Sequence, residues 1–589
     1  MNLTQDMGPR TPRTLLRDMP GRALRPALVL SGLVGCVAAA GSVAGCGGRP
    51  SYWNDPVQTT SVAYGLAGGV ALVDDADHRV VMVTVPGASL QSGTQSLPIG
   101  HGVLSVSISP DATRMFVLSA GDWPRRTLTD EAPSMTMIDF LPGSYVAEAH
   151  RFEMSEPRGN LAIDPIPVSA GGGHWAVAYA GSTTTGVQPT ATGAAAASFV
   201  ENPNEIVLFD LTPQAPVPTV TRTLQSFGGT PQRLVFTPEL MLPDMTQRRL
   251  LLIETEIDLT MLDLDHAFLP SPPPEITVPL TSGATTGQLK TAGLAVDGRN
   301  PDDPNDARFA VWTSTDTNLY TMQLVAPTTD LRNDFTPTIN VTDVGGVPSD
   351  VSWVETEDAT APTGLSLRVA ALVPTTSSAV LVDPDRSLTT PVTLPAAYPS
   401  LSLVTDLVAG AQGTSSGTDV ALLWGGGTSG VALWTLKNSV MQPYASITTL
   451  GATQPVSAAL DVPAPNQRLK VLPMTSGSGF YVLDLSAPTA SPLSTSIDAT
   501  LSIAPDGGRL WAFQPGGTDL ASVDFDTLNP VPLSTDLPID SVFDISRQDG
   551  GRALIAVHNQ GAIGITVFDG LAPVTATSRR IAPLLLEGP

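Results

Sequence analysis

Short apolar runs, roughly five to eight residues long, alternate along most of this chain with turns rich in Gly, Pro, Ser and Asp. Runs of this length that contain many Val, Ile, Leu and Phe residues are typical of β-strands, and the polar turns between them mark hairpins. No stretch keeps the 3.6-residue apolar period of a long amphipathic helix. The pattern therefore predicts an all-β protein.

One run recurs along the chain: a β-rich segment that follows a Gly, Ser or Asn turn and ends in Asp or an equivalent residue. Its copies are spaced roughly 40 to 70 residues apart, which is the span of propeller blades. The ten copies are HRVVMVTV (78–85), SMTMIDF (134–140), NEIVLFDL (204–211), IDLTMLDL (257–264), NLYTMQL (318–324), SAVLVDP (378–384), GVALWTL (430–436), GFYVLDL (479–485), DLASVDF (519–525) and GITVFDG (564–570).

Each later copy is preceded by a strand–turn–strand segment of its own. Two hairpins per unit make a four-stranded sheet, and such a sheet cannot bury both faces, so successive units must pack on each other. The clearest of these hairpins lie at 104–121, 233–254, 501–517 and 542–557.

Two of these turns carry a recognisable motif: SPD at 109–111, and APDG at 504–507 followed by RLW at 509–511. With them the chain resembles bacterial β-propellers of the YVTN and WD40-like kind. The resemblance implies an all-β propeller over residues 61–580, with about 7–10 four-stranded blades. A β-sandwich array or a solenoid of the same hairpins is the alternative.

The number of rings stays open at this point. Ten units could form one large ring or two smaller rings, or a smaller ring if some units are strands of their neighbours. The first unit lacks an obvious opening strand. Because propeller ends often complete one shared blade, residues 61–100 are expected to pair with 537–580. Three long polar segments are expected to project as loops: 181–204, 269–287 and 412–418.

The first 45 residues differ from the rest. Five arginines precede the apolar, small-residue stretch 27–45, which is the arrangement of a secretory signal. The stretch ends in VAGC at 43–46, which resembles the bacterial lipobox, and the resemblance implies that Cys46 is lipidated. A second match ends at Cys36, but cleavage there would leave apolar residues at the new end. A plain secretory signal is the alternative, and Met19 is a second possible start.

These assignments predict a signal peptide at 1–45, a flexible tether at 46–60, the propeller at 61–580 and a tail at 581–589. Several acyl chains give stable membrane anchoring where one chain is marginal. The expected location is the cell envelope. Gly47, rather than Asp, follows the lipidated cysteine, and by resemblance to lipoprotein sorting in enteric bacteria this favours the outer membrane.

The charge of the chain limits its partners. The formal net charge is −25, and without residues 1–45 it becomes −28, from 25 basic and 53 acidic residues. A strongly acidic surface repels nucleic acid and anionic lipid head groups. We therefore expect no nucleic-acid partner, and a membrane association that depends on the lipid.

Motifs for catalysis and cofactors are weak. GTSSG at 413–417 matches a nucleophile elbow, and GGGTSG at 425–430 matches a dinucleotide fingerprint, but a strand follows each where a helix is required. Both are predicted to be turns, so no catalytic residue and no cofactor is assigned. An acidic segment is the one weak candidate for Ca²⁺, which takes six to eight oxygen ligands; its residues are Asp297, Asp302, Asp303, Asn305 and Asp306.

The histidines, tryptophans and inner-strand polar residues give no ligand set or binding platform. The histidines have no metal-binding spacing, and the strand tryptophans are predicted to pack between blades rather than to bind sugars. Inner-strand polar residues also carry no convincing metal set. The histidines are His78, His101, His150, His174, His266 and His558; the tryptophans are Trp175, Trp353, Trp424, Trp434 and Trp511; the inner-strand candidates are Ser107, Asp164 and Asp544.

The leading functional hypothesis is a lipid-anchored envelope protein that acts as a non-enzymatic binding or scaffold module for a protein or glycan partner. The alternative is a propeller-class hydrolase, similar to lactonases, with a metal site in its central channel. A third hypothesis is a sensor or assembly factor of an envelope complex.

Overall fold

The computed structural model describes residues 63–581, apart from 88–91, 142–145, 168–171, 181–203, 213–218, 225–229, 256–257, 281–290, 298–306, 329–331, 358–364, 405–419, 426–430, 438–439, 447–455, 464, 467, 475–478, 485–488, 494–499, 505–506, 559–563 and 570–577. These residues form ten four-stranded antiparallel sheets and one short extra hairpin. In each four-stranded sheet the strands are neighbours in chain order.

Sheets 1 to 5 occupy the first part of the ring. Their strands are β1 (Ala63–Leu66), β2 (Gly69–Asp74), β3 (Arg79–Thr84) and β4 (Gly93–Pro98); β5 (Val103–Ile108), β6 (Arg114–Ser119), β7 (Ser134–Leu141) and β8 (Val146–Glu153); β9 (Asn160–Ile163), β10 (Trp175–Tyr179), β11 (Glu205–Asp210) and β12 (Thr219–Thr223); β13 (Arg233–Phe236), β16 (Leu250–Glu254), β17 (Asp258–Asp263) and β18 (Ile276–Pro279), with the hairpin β14 (Leu240–Met241) and β15 (Gln247–Arg248); and β19 (Thr291–Asp297), β20 (Arg308–Thr313), β21 (Asn318–Val325) and β22 (Thr336–Asp343).

Sheets 6 to 10 follow the same order, and a short 3₁₀ turn, Pro374–Thr376, joins two strands of sheet 6. Their strands are β23 (Asp350–Glu357), β24 (Leu365–Val373), β25 (Ser378–Asp383) and β26 (Leu388–Thr393); β27 (Ser400–Val404), β28 (Val420–Trp424), β29 (Ala432–Lys437) and β30 (Val440–Ser446); β31 (Leu460–Asp461), β32 (Leu469–Pro473), β33 (Phe480–Asp484) and β34 (Thr489–Leu493); β35 (Thr500–Ile503), β36 (Arg509–Phe513), β37 (Asp519–Asp524) and β38 (Pro530–Ser534); and β39 (Ser541–Ser546), β40 (Arg552–His558), β41 (Gly564–Asp569) and β42 (Ser578–Ile581).

Every copy of the recurrent sequence run forms the third strand of its sheet, from β3 in sheet 1 to β41 in sheet 10. The aspartate that ends many of these runs orders the turn to the fourth strand. Asp383 Oδ1 accepts hydrogen bonds from the amides of Asp385 (3.1 Å) and Arg386 (3.2 Å). Asp524 does the same for the two residues at its own turn. The repeated aspartate therefore has a structural role, because short acidic side chains satisfy turn amides.

The SPD motif at 109–111 orders the turn between β5 and β6. Asp111 Oδ1 accepts the hydroxyl of Ser109 at 2.7 Å and the amide of Thr113 at 3.2 Å. The amide of Arg114 donates to Ser109 Oγ at 2.9 Å, so the turn is closed from both sides. The motif through which the chain resembles known propellers thus shapes a hairpin rather than a catalytic loop.

Hydrophobic cores lie between the sheets, and they close the described chain into one ring. Each of ten clusters joins two successive sheets, and one of them joins sheet 10 to sheet 1. Leu252 of sheet 4 packs with Phe309 of sheet 5 in this way, and Val70 of sheet 1 packs with Ile555 of sheet 10. The chain is an all-β propeller, and its described residues form ten blades.

First strands of neighbouring sheets contact one another directly, for example β5 with β9 and β19 with β23. The blades are therefore closest at their first strands, which surround the central channel. The fourth strands form the outer wall, and several of them, including β8, β22 and β26, expose many of their side chains.

The seam between the chain ends differs from the expected shared blade. Residues 63–98 and 541–581 form separate, complete sheets, because Ala67 and Gly68 make a tight turn that supplies sheet 1 with its own first strand. The two sheets meet through side-chain packing and one hydrogen bond, from Ser546 N to Ala67 O at 3.2 Å. Gly65 permits this approach, since a Cβ there would lie 2.6 Å from Phe543 Cδ1.

The predicted loop 269–287 is only partly a loop, since Ile276–Pro279 is the outer strand β18. This strand completes sheet 4. Two of its residues, Ile276 and Val278, pack in the core between sheets 4 and 5. Segments 412–418 and nearly all of 181–204 lie outside the described residues. In the described part of the chain, no helix has the length and apolar character required to cross a bilayer.

Candidate functional site

Each blade has two ends, which we name by its turns. The upper end is where the second strand turns into the third, and where the connection from the preceding sheet enters the first strand. The lower end carries the other two turns of each sheet. These definitions follow from the antiparallel strand order alone.

Arg233 and Glu254 form a cross-strand pair at the upper end of sheet 4. Arg233 is the first residue of β13, Glu254 is the last residue of β16, and the two lie directly opposite each other. The Arg233 side chain is exposed, whereas Glu254 is 2% exposed. Residues opposite in an antiparallel pair have Cβ atoms roughly 5 Å apart, so the guanidinium and the carboxyl share one environment.

The two side chains of this pair differ in their surroundings: the guanidinium is open to water and the carboxyl is not. Glu254 Oε1 is buried and has no hydrogen-bond partner in the described part of the chain. Arg233 makes no ion pair with the residues that the structure describes. Burial raises the pKa of Glu254 to about 7, against the opposing charge of Arg233. Near neutral pH the carboxyl is therefore divided between its protonated and ionised forms.

Two further groups feel the charge of Arg233. Burial raises the pKa of the Tyr179 phenol on β10 of sheet 3, and Arg233 opposes that rise. Burial also raises the pKa of Asp350 at the start of β23 of sheet 6, although the amides of Leu401 and Val351 donate hydrogen bonds to it and lower the pKa. The Arg233 guanidinium thus influences titratable groups on sheets 3, 4 and 6. This is expected where the blades converge on the channel.

We call Tyr179, Arg233, Glu254 and Asp350 the channel-end cluster. It offers an exposed guanidinium that can form two parallel hydrogen bonds, a phenol O–H, and a carboxyl that donates when protonated. Such a set of donors suits a carboxylate. A carboxyl with a pKa near 7 can also take up or release a proton at physiological pH, and shifted titratable groups of this kind concentrate at functional sites.

The channel-end cluster was missed by the sequence reasoning, although one signal was present. Arg233 and Glu254 are the first and last residues of the hairpin predicted at 233–254, so a cross-strand pair of opposite charge was readable from the hairpin itself. The burial of one partner and the exposure of the other depend on sheet 5, which the hairpin pattern does not contain.

Two of the inner-strand candidates are engaged in ion pairs at the lower end. Asp164 follows β9 and accepts two hydrogen bonds from Arg249 of sheet 4, at 2.6 and 2.5 Å. Asp544 accepts the indole N–H of Trp511 at 3.1 Å and Arg552 Nε at 2.8 Å. Asp164 therefore joins sheet 3 to sheet 4, and Asp544 joins sheet 10 to sheet 9. Ser107 is half-buried on β5.

Two histidines meet on the rim between sheets 1 and 2. The rings of His78 and His101 have centroids 3.9 Å apart. The ring nitrogens of His101 lie 3.2 Å from Asp122 Oδ1 and 3.0 Å from Glu131 Oε2. The Glu131 amide and the His101 ring lower the pKa of Asp122. This rim cluster joins two loops of neighbouring blades by hydrogen bonds.

The other histidines lie apart. His558, at the end of β40, is fully buried and bonded to Pro538 O and Thr566 Oγ1. His266 lies 2.9 Å from Asp263 in the turn after β17. His150 is on β8 and His174 directly precedes β10. Within the described residues, no three His, Cys, Asp or Glu side chains are arranged to hold a metal ion.

The calcium candidate stays a prediction. Asp297 ends β19 and is buried, opposite Arg308 of β20. Asp302, Asp303, Asn305 and Asp306 lie outside the described residues, in the connection between these two paired strands.

The tryptophans lie on strands, as predicted. Trp353, Trp434 and Trp511 are buried in the cores between blades. Trp175 stacks on Phe268 with ring centroids 5.4 Å apart. Trp424 packs at the edge of the core between sheets 7 and 8.

Of the two glycine-rich motifs, only the second begins within the described residues, at Gly425. Residues 426–430 of the segment 425–430 lie outside the described residues; the strands on either side of it, β28 and β29, pair antiparallel, so a strand follows this motif, as predicted. Segment 413–417 lies outside the described residues, as do Cys36, Cys46 and the remainder of 1–60.

Comparison with known proteins gives no family. No protein-family model and no curated protein sequence matches this chain. Solved structures with a similar fold include dihydro-heme d1 dehydrogenase NirN in complex with DHE, at 13% identity over 87% of each chain with a TM-score of 0.36. Apo AztD from Citrobacter koseri is 11% identical over 81% of this chain and 95% of that chain, with a TM-score of 0.34. Hydrazine synthase from Kuenenia stuttgartiensis is 12% identical over 59% of this chain and 95% of its own, with a TM-score of 0.27. At these values the likeness carries no functional information.

Proposed function

We propose that this protein is a lipid-anchored binding module of the cell envelope, tethered through Cys46, whose propeller binds a partner at the channel-end cluster. The observation that carries the proposal is the exposed guanidinium of Arg233, which forms no close ion pair with the described residues and lies opposite the buried carboxyl of Glu254. In a chain with a net charge of −25, an exposed cation at the convergence of the blades can attract an anionic group.

The ligand chemistry that fits is a carboxylate, as carried by an acidic sugar or by the end of a peptide. Arginine binds a carboxylate through two parallel N–H···O bonds. Protonated Glu254 and the Tyr179 phenol would add donors to the same anion. Ligand binding would then raise the protonated fraction of Glu254, because an added negative charge disfavours its ionised form.

Binding is tested by calorimetry on the full chain in detergent, with glucuronate as the probe and glucose as its neutral counterpart. We expect heat from glucuronate alone, a loss of affinity of at least tenfold in Arg233→Gln, and no change in Arg386→Gln. The control residue lies in the turn before β26, away from the cluster. Equal affinity of Arg233→Gln and the unaltered protein would reject the channel-end site.

The anchor is tested separately. Cys46→Ser is expected to abolish incorporation of labelled palmitate and to move the protein from the membrane to the soluble fraction of cells. Cys36→Ser is the matched control, since it alters the other lipobox-like match, and we expect it to keep both label and membrane fraction. Membrane partition that persists in Cys46→Ser would contradict the anchor.

Glu254 also favours a second candidate, a hydrolase with its site in the central channel. A buried carboxyl with a pKa of about 7 is suited to general acid–base catalysis near neutral pH. The propeller-class form of this hypothesis includes a metal ion. A stoichiometric metal in elemental analysis, together with lactone hydrolysis that Glu254→Gln abolishes, would favour the enzyme over the binding module.

A further inference from the structure

The outer strand of every blade has one edge that no other strand of its sheet covers. Such edges pair readily with other chains, and proteins protect them with charges, prolines, short strands or covering side chains. Most outer strands of this ring carry such protection in their sequence. Prolines occur in β18, β26, β30, β34 and β38, and charged residues in β12 and β42.

A side chain of the first outer strand, β4, protects the edge of the second, β8. The Gln95 side chain on β4 donates to Ala147 O on β8 at 2.7 Å and accepts the amide of Ala147 at 2.9 Å. These bonds occupy backbone groups at the edge of β8. That strand also carries Glu148, Arg151 and Glu153 on its length, so it is protected twice.

Strand β22 carries such protection only at its two ends, through Pro337 and Asp343. It spans eight residues, Thr336–Asp343, and has no charge before its last residue and no proline after Pro337. Ile339 is 42% exposed and Val341 is 49% exposed. An outer strand whose central residues carry no charge and no proline, and whose β-branched side chains are exposed there, has the pattern that favours pairing with another strand.

The backbone of β22 also points outward at these residues. The amide of Val344 donates to Thr317 O of the β21 side at 3.0 Å, in line with the register of the two strands. Because inward and outward groups alternate along an antiparallel strand, the even-numbered residues face β21. The N–H and C=O groups of Ile339, Val341 and Asp343 therefore face away from the sheet, and no partner for them lies in the described part of the chain.

The described residues of the neighbouring blade leave this surface uncovered. Ile339 and Val341 are register partners of Met322 and Tyr320, which pack in the core toward sheet 4, so the two exposed side chains are on that same face. The outer strand of sheet 4, β18, has only four residues against the eight of β22. The shorter strand leaves part of the longer one exposed.

We propose that β22 is a docking edge that accepts an extended segment of a partner protein by β-strand addition. The segment would form backbone hydrogen bonds with Ile339, Val341 and Asp343, and its alternate apolar side chains would cover Ile339 and Val341. This surface is separate from the channel-end cluster, and its occupancy does not depend on Arg233.

Charge decides between a partner segment and a second copy of the chain. Two copies each carry a net charge of −25 and repel each other. A segment that carries basic residues beside its strand avoids the repulsion, so the fitting partner is an extended apolar-alternating segment with basic flanks.

The test uses the full chain in detergent and a fluorescent peptide of alternating valine and threonine with lysines at both ends. Its control peptide has proline in place of two valines and cannot complete the backbone bonds. Fluorescence anisotropy is expected to report binding of the first peptide only. Val341→Lys, which places a protecting charge on the edge, should weaken binding at least tenfold, while Leu388→Lys on the exposed outer strand β26 should leave it unchanged.

Hydrogen exchange gives the decisive readout. Peptide binding should slow exchange at the amides of Ile339, Val341 and Asp343, and much less at Asn340, whose amide already faces β21. Equal binding to Val341→Lys, or no peptide binding at all, would overturn the proposal. So would concentration-dependent dimerisation that Val341→Lys removes, because the occupant would then be a second copy. Retained peptide binding in Arg233→Gln would separate this surface from the channel-end site.

Discussion

Sheet 4 contributes an arginine to an arginine–acid pair at each of its two ends, and the two pairs are in opposite states. At the lower end, Arg249 holds Asp164 of sheet 3 by two short hydrogen bonds, and a third bond runs from Arg249 Nε to Thr237 O at 3.1 Å. At the upper end, Arg233 is exposed and Glu254 is buried with an unpartnered oxygen.

The two acids respond to burial in opposite ways. Burial acts to raise the pKa of Asp164, but the hydrogen bonds from Arg249 and from the amides of Ile166 and His174 outweigh it and hold the pKa below its usual value. Glu254 has no such donors, and its pKa rises to about 7. Burial alone therefore does not mark a functional carboxyl in this ring. The unsatisfied carboxyl of Glu254, rather than that of Asp164, is the candidate for a functional group.

The largest effect is expected at the lower end. Arg249→Met would leave the fully buried carboxylate of Asp164 without its counter-ion, and we expect the free energy of unfolding to fall by about 3–5 kcal/mol. Chemical denaturation followed by tryptophan fluorescence measures the loss. The double variant with Asp164→Asn should recover most of it, because the amide oxygen still accepts the backbone N–H groups. If the free energy of unfolding of Arg249→Met lay within about 1 kcal/mol of that of the unaltered protein, the lower pair would contribute as little to stability as the upper pair.

The second expected effect is a gain in the free energy of unfolding, and its size depends on pH. Since the folded-state pKa of Glu254 is raised from 4.5 to about 7, its ionisation costs folding stability that grows as the pH rises through that interval and is complete above it. Glu254→Gln is expected to match the unaltered protein near pH 4 and to exceed it by about 3 kcal/mol at pH 8. Denaturation midpoints at pH 4, 6 and 8 measure this difference. A pH-independent gap between the two proteins would exclude the raised pKa as its cause.

The smallest effect is expected for Arg233→Gln. The side chain is exposed, so its removal should change the free energy of unfolding by less than about 1 kcal/mol. Its charge lowers the pKa of Glu254, and that pKa should therefore rise further in the variant. Carbon-13 titration of the glutamate carboxyl measures the shift directly. A destabilisation as large as that of Arg249→Met would show that the two ends of sheet 4 are alike.

The sequence was most informative where chemistry is local. The third strand of each blade was readable because its apolar run and its terminal aspartate lie within one segment, and the aspartate orders the turn that follows it. The SPD turn was readable for the same reason. The tryptophans were placed correctly on strands, since a large aromatic residue in an apolar run belongs to a core.

Features that depend on contact between blades were not readable. The first strand of sheet 1 has only four residues, and Ala67 and Gly68 gave no strong turn signal, so the chain ends were expected to share a blade. The partner of Asp164 lies 85 positions away on another sheet. The contrast between Arg233 and Glu254 arises from the packing of sheets 4 and 5, and no local pattern of charge contains that packing.

The seam between sheets 1 and 10 bears on where the backbone of the ring could begin and end. No hydrogen-bonded ladder crosses it, and the same kind of apolar core joins these two sheets as joins every other neighbouring pair in the described residues. Every boundary between blades is then a place where the backbone could begin or end without interrupting a sheet. The fold therefore favours circular permutation, with the natural ends linked and new ones opened in the described connection between sheets 5 and 6 at 344–349.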